Sequence, residues 1–464
     1  MERRTFLKIL SSAGIVSLVS PTFAMEVCKN KVSKSSSALL ESAFRNPPFS
    51  SGVYTWWHWM NGNITKDGIT RDLEAMKANG IAGYQLFEAG SGIPIGPVES
   101  LSDEWVDLIL HTLKESERLG LEFAMHNCPG WSSSGGPWIT PDKAMQIITW
   151  SETKITGGKQ VRIQLPTPKH MFDYYIDTYC LAIPANMKVI PRLSILELSN
   201  RLDKDGVLTW DVPTGEWLIM RFGQTAKDQK NKSAPSKSTG LDCDKFSTEA
   251  LDYHLNCMFK RLMPAMEKIA KHSKIGLLID SYETGDQDWT SDMPAYFEQS
   301  HGYELYPFLP VLANKIVESE ESTKRFLFDF RRVRADMFAE RYYGHFQKRC
   351  KEKGIITYTE PYGGNMMEEL QVAQQLDINM GEFWCGQTVL WANYKYNRTV
   401  KQVASIAHTL GGKVVGAEAF TSEPDADKWL QYPYALKSLG DYMFNRGLSR
   451  ISFHRFDPQP HPTA

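Results

Sequence analysis

The chain has 464 residues, of which 42% are hydrophobic and 23% charged, with a formal net charge of −2. That length exceeds one ordinary domain and suits a barrel with an added module. The near-neutral balance excludes a field able to gather nucleic acid or an anionic membrane.

The N-terminus reads as a targeting segment. Arg3 and Arg4 precede Thr5-Phe6-Leu7-Lys8, an apolar run from Ile9 to about Val19, and Pro21-Thr22-Phe23-Ala24. A charged start, a short apolar stretch and a small-residue cleavage site make residues 1–24 a signal peptide of twin-arginine type, with an ordinary secretory signal as the alternative. The run is too short to span a bilayer. The mature chain is expected to begin near Met25 and to work in the periplasm or outside the cell, with no stable membrane insertion. Residues 25–47, rich in Ser and Lys, read as a mobile leader. The seven cysteines are scattered, show no metal-ligand spacing and are expected to be mostly buried thiols.

From residue 48 the chain alternates strand-like and helix-like segments. Gly52 to Met60 is an aromatic strand. Thr65 caps a helix with Ile69, Leu73 and Met76 on one face, and Gly80 stops it. Ile81 to Glu88 is the second strand. Ser102 caps a helix carrying Trp105, Leu108, Ile109 and Leu113, ended by Gly120, and Leu121 to Cys128 is the third strand. The rhythm breaks over residues 145–245. There, Val161–Leu165, Tyr179–Ile183 and Trp217–Phe222 are separated by turns without a helix and read as an antiparallel β insertion. The polar stretch Gln224 to Gly240 reads as a loop. Over 246–464 the rhythm resumes with a helix from about Thr248 to His272, in which Pro264 is expected to introduce a kink. The strand Ile275 to Glu283, a helical region over 322–353 and strands near 356, 380, 414 and 449 follow. Eight strands alternating with helices predict a (β/α)8 barrel of the TIM type, interrupted after the third strand. The chain stops without the helix that should follow the eighth strand.

Active sites of such barrels lie at the C-terminal ends of the strands. Glu88 stands there on the second strand. His126-Asn127-Cys128-Pro129-Gly130-Trp131 follows the third, and Asp280-Ser281-Tyr282-Glu283 the fourth. Glu360-Pro361-Tyr362, Glu382-Phe383-Trp384, Glu418 and His454-Arg455 end the last four. Five of the eight strands therefore end at or beside a glutamate, an arrangement too costly in a closed mouth unless the carboxyls are paired, protonated or metal-bound. Two carboxylates flanking a bond, beside aromatic side chains, are what glycoside hydrolysis needs. The surplus points to a hard cation on oxygen ligands, with Ca2+ the natural candidate. Ser132-Ser133-Ser134 lacks a nucleophile elbow and reads as a flexible loop.

Several strings, taken together, resemble glycoside hydrolase family 106, the α-L-rhamnosidases, over residues 46–464. They are Trp56-Trp57-His58-Trp59-Met60-Asn61-Gly62, the segment Ile69–Lys77, His126–Trp131, Asp244-Lys245, Asp280–Glu283, Gly416-Ala417-Glu418 and Phe453-His454-Arg455. The resemblance implies exo-acting, inverting release of terminal L-rhamnose from an oligo- or polysaccharide, with Ca2+ at the sugar. It implies Glu283 as general acid, Glu418 as general base and Glu382 as a metal or substrate ligand, with Glu360 and Glu88 as further metal candidates. Trp57, His58, His126, Asn127, Trp131, Tyr362, Trp384 and His454 are the substrate-binding candidates. It also implies β-rich modules after the barrel, beyond the end of this chain. Fold and carboxylates alone do not choose the sugar, so a glycosidase for another sugar, or an inactive carbohydrate-binding remnant, stays open at this point.

Overall fold

The structure is a computed structural model that describes residues 34–460 except 273, 386–388, 413, 423, 424, 426 and 427. The expected signal peptide lies outside the described residues. The chain divides into two units, 1–52 and 53–464. In the first, the expected leader holds a helix, Lys34–Arg45, where a structureless segment was anticipated. Its Ala-Leu-Leu-Glu run is made of good helix formers, and Arg45 closes an i,i+4 ion pair with Glu41.

The second unit is built on a closed eight-stranded barrel. Its strands, in chain order, are Val53–Met60, Ile81–Ala89, Glu122–His126, Ile275–Ile279, Ile356–Thr359, Ile378–Cys385, Val415–Ser422 and Arg450–Phe456. Each pairs in parallel with its sequence neighbour, and the eighth closes on the first, Tyr54 opposite Ser452. The expected caps are in place. The Thr65 and Ser102 side chains accept from the backbone N–H of Gly68 and Trp105, and Gly120 ends its helix at φ 66°. The helix expected over 248–272 is two helices, Thr248–Phe259 and Met263–Ile269, because Pro264 starts the second. In the second unit three helices among the described residues escaped the sequence reading: Met293–His301, whose apolar positions are too few to show a stripe, and the very short Leu309–Leu312 and Glu369–Ala373.

The insertion leaves after the third strand as expected. It forms a four-stranded antiparallel sheet in the order Gln146–Thr156, Glu216–Ala226, Ile176–Pro184, Leu196–Glu197, with Lys159–Gln164 paired to Val207–Val212 beside it. Its own core includes Leu165, Cys180, Leu208, Trp210 and Ile219. Among the described residues all six cysteines are free and five are buried, and no helix is long and apolar enough to cross a membrane.

Period-two alternation decides what each strand offers to the barrel interior. On the first strand Trp56 faces inward, stacked on Phe87 of the second at 4.1 Å between ring centres. Trp57 and Trp59 face outward, where the Trp57 indole donates to Asp72 of the helix Lys66–Ala78 at 3.1 Å. The inward layer of Trp56, Phe87, Ala124, Leu278 and Met380 fills the barrel beneath the rim.

Candidate active site

Above that layer lies a cavity of about 300 Å3 at the C-terminal ends of the strands. Trp56, His58, Trp131, Trp384 and His454 form its aromatic wall, and Asp280, Glu283, Glu382 and Glu418 its acidic one. The indole Nε1 of Trp56 and the Nε2 of His58 are buried without a protein partner. Such atoms are costly unless a ligand satisfies them.

The carboxylates come from four strand ends and interact strongly. Asp280 is 4% exposed. Burial, and then the charges of Glu418, Glu283 and Glu382, push its carboxyl well up. Glu360 is raised by burial and by Asp280, Glu418 and Glu382. It accepts a hydrogen bond from the Tyr362 hydroxyl on one oxygen, while its other oxygen is buried with no partner. Glu418 is raised to about 7, chiefly by burial, with Glu283 adding to the rise and the Thr421 hydroxyl and Arg455 opposing it. Glu283 is more open and bonds Lys232 at 2.5 Å. The imidazoles behave differently. Burial drives His58 well down, and His126 and His454 to about 4. At neutral pH these three imidazoles are therefore uncharged.

The geometry corrects several sequence expectations. Trp57 binds no substrate, because alternation turns it into the helix layer; its neighbour Trp56 takes the interior place. Glu88 is excluded for the same reason: Phe87 points inward, and Glu88 turns outward to accept from the Ser100 hydroxyl at 2.8 Å. Asn127 is a structural staple. Its amide donates to the Leu278 and Ser133 carbonyls at 2.9 Å, and its oxygen meets His254 at 3.1 Å. His126 sits under the cavity, stacked on Phe87, with Nδ1 2.8 Å from the Cys128 carbonyl. It receives the Asp280 N–H at 3.4 Å and so helps to place the Asp280–Glu283 turn. Ser132, Ser133 and Ser134 are no flexible loop. All are buried, with Ser132 and Ser134 bonded to Asp242 and Ser133 to Tyr342. Asp242 is the buried ion-pair partner of Lys245. His58, Trp131, Trp384, His454, Glu283, Glu382 and Glu418 all reach the cavity, and Tyr362 lines the space next to it.

Sequence reasoning passed over Asp280, Trp56, Thr421 and Lys232. Asp280 was visible at a strand end but was not counted with the glutamates. Lys232 lies 51 residues before Glu283, on the loop returning from the insertion, and no spacing rule links them.

Among the described residues, no three His, Cys, Asp or Glu side chains are already gathered as a metal-binding group. Glu88 does not fit such a site. Glu360, Glu382 and Asp280 do fit a hard cation by their chemistry: they are oxygen donors, they repel one another, and one Glu360 oxygen is unpartnered.

This catalytic-face geometry has known relatives. A family profile described as alpha-L-rhamnosidase matches residues 45–178 and 169–463. The chain belongs to glycoside hydrolase family 106. A Formosa agariphila protein bearing the provisional name beta-glucuronidase is 40% identical over 456 residues. That match takes in 92% of this chain and 38% of the relative. The solved rhamnosidase of Novosphingobium sp. PP1Y superposes with a TM-score of 0.81 at 24% identity, over 91% of this chain and 56% of the other. That likeness shows the fold. The family 106 chain described here thus spans about two-fifths of the curated relative's length.

Proposed function

We propose that this chain is the catalytic part of an exported, exo-acting α-L-rhamnosidase that cleaves with inversion. The observation that carries this reading is the placing of two carboxyls in one aromatic-walled cavity. Glu283 stands where that cavity opens to a second space, and Glu418 stands on the inner wall only. A sugar ring held against Trp56, Trp131 and Trp384 directs its glycosidic oxygen outward. Glu283 then protonates the leaving oxygen once substrate displaces Lys232. Glu418, poised near neutrality, deprotonates a water on the inner face. Trp56 Nε1 and His58 Nε2 supply hydrogen bonds to ring hydroxyls. Asp280, Glu360 and Glu382 would hold Ca2+, which when bound supplies a positive charge for orienting sugar hydroxyls.

The name of the Formosa relative raises a second reading, a β-glucuronide substrate. The charge of the cavity argues against it. Among the described residues that line it, the two cations, Lys232 and Arg455, are each paired with a carboxylate, Glu283 and Asp457. A uronate would enter beside Asp280, Glu382 and Glu418, and would have to draw Lys232 away from Glu283 or compete with Asp280 and Glu382 for the proposed Ca2+. A 6-deoxy sugar brings no such charge.

The test is release of L-rhamnose from an aryl α-L-rhamnoside by residues 25–464, run beside an aryl β-D-glucuronide. Rhamnose release supports the reading. Turnover of the glucuronide alone, or of neither by a folded protein, refutes it. N-terminal sequencing of the protein from a periplasmic fraction tests export: an N-terminus that still includes Arg3 and Arg4 would count against it.

A further inference from the structure

A second cavity, of about 600 Å3, adjoins the first. The two share Lys232, Ser281, Glu283, Glu382 and Trp384. These five residues therefore form a neck, and Glu283, the proposed acid, stands in it. The inner space is at the low end of the range for ligand sites and suits one ring; the outer one is twice as large.

We propose that the outer chamber is a binding site for a second pyranose, the sugar unit whose oxygen leaves on cleavage, and that Asn365 and the Arg398–Glu369 pair recognise its hydroxyls. This rests on the glycosidase reading of the inner cavity. Three features point to it. The far wall is polar: Arg398 bonds Glu369 at 2.8 Å, and Asn365, Thr399 and Tyr362 complete it. Among the described residues lining the chamber, Lys232 and Arg398 each hold a carboxylate, so the far wall offers a paired donor and acceptor, and Glu382 in the neck carries the remaining charge. That is the chemistry that recognises vicinal hydroxyls.

The floor, moreover, is built to fixed dimensions against the catalytic turn. The Tyr282 N–H donates to the Tyr362 carbonyl at 2.8 Å. Gly363, at φ 116°, passes so close that a Cβ there would lie 2.4 Å from the Tyr282 carbonyl oxygen, and one on Gly364 would lie 2.6 Å from the Tyr282 ring. The loop carrying Asn365 is thus held in register with Glu283. The near wall is fixed as well. The backbone of Lys232 accepts from Trp131 N–H at 3.2 Å, and Ser233 accepts from Gly90 N–H at 2.7 Å. Gly130 passes where a Cβ would meet the Lys232 carbonyl at 2.1 Å. The insertion's return loop is in this way locked to two barrel loops and closes the neck.

The experiment compares R398A and N365A with the parent on an aryl α-L-rhamnoside and on an α-L-rhamnosyl-glucose disaccharide. Arg398 is exposed and its ion pair is a surface one, so folding is expected to survive its loss. The aryl group cannot make the hydroxyl contacts. We expect kcat/KM on the disaccharide to fall on the order of tenfold further than on the aryl substrate. An equal fall on both substrates, or no fall on the disaccharide, overturns the assignment. So does a parent chain that turns over the aryl substrate yet neither cleaves the disaccharide nor is inhibited by it, and in that case the rhamnosidase reading stands. A parent that cleaves neither refutes both.

Discussion

The Thr421 hydroxyl donates to the carboxylate of Glu418, and this contact sets where the proposed base titrates. Burial raises Glu418 to about 7, and the hydrogen bond opposes that rise. A bond to the charged form favours the charged form, so its loss must move the pKa upward. Thr421→Val removes the donor with little change of volume at a buried position. A hydrogen bond to an ionised group contributes about 1.5–3 kcal/mol, and one pKa unit corresponds to about 1.4 kcal/mol. The expected displacement is therefore roughly one to two units. The base must be deprotonated to act, so kcat/KM on an aryl α-L-rhamnoside should lose its acid limb near pH 7 and regain it near pH 8 or above. At about pH 6 the variant should be some tenfold or more slower, with the gap narrowing towards about pH 9. A limb that stays near 7 would mean that another group titrates there. A limb that moves downward would show that the hydroxyl does not stabilise the ionised form.

The remaining predictions are more direct. Lys245 and Asp242 are both fully buried and ion-paired, with Ser134 and the Cys243 carbonyl completing the lysine's partners. Lys245→Met should cost roughly 3–5 kcal/mol in denaturant unfolding by stranding a buried carboxylate, and adding Asp242→Leu should recover much of it; a loss below about 1 kcal/mol would disprove the pairing. Trp56→Phe should lower kcat/KM on the aryl rhamnoside more than Trp57→Phe does, because only Trp56 faces the cavity, while both should lower the melting temperature because both are buried; equal effects on kcat/KM would contradict the assigned faces. Proton NMR of the first-formed sugar should show the β anomer, and initial α-L-rhamnose would establish retention instead. Ca2+ should raise the melting temperature of the parent and not of Glu382→Gln, following ligand linkage; an equal rise in both would remove Glu382 from the ligand set.

Much of this architecture was legible because local signals agreed. Thr65, Ser102 and Gly120 mark helix ends by chemistry that tertiary packing does not override. The insertion announced itself by losing the helical period between Gln146 and Ala226. What could not be read was contact across long separations. Nothing between residues 224 and 240 says that Lys232 meets Glu283, because that meeting depends on how the return loop is threaded past Gly90 and Gly130. Met293–His301 was hidden by its shortness and weak apolar stripe.

The errors at the rim share one physical origin. A strand end brings two successive side chains to the same height and sends them to opposite faces. Position along the chain therefore cannot decide whether a residue enters the site; parity can. Parity on the first strand admits Trp56 and His58 and rejects Trp57. On the second it admits Phe87 and rejects Glu88, which the Ser100 hydroxyl then satisfies outside the barrel. Applied to the fourth strand, attention to every acidic side chain rather than to glutamates alone brings in Asp280. Its position explains why the remaining carboxyls matter. One buried acid can stay protonated at little cost, but Asp280, Glu360 and Glu418 raise one another or are raised together. Such mutual repulsion weakens the fold unless the group serves a ligand. The acidic wall is in that sense the strongest statement the chain makes about its chemistry: carboxyls that raise one another in this way suit proton transfer and ligand binding rather than the stability of the barrel.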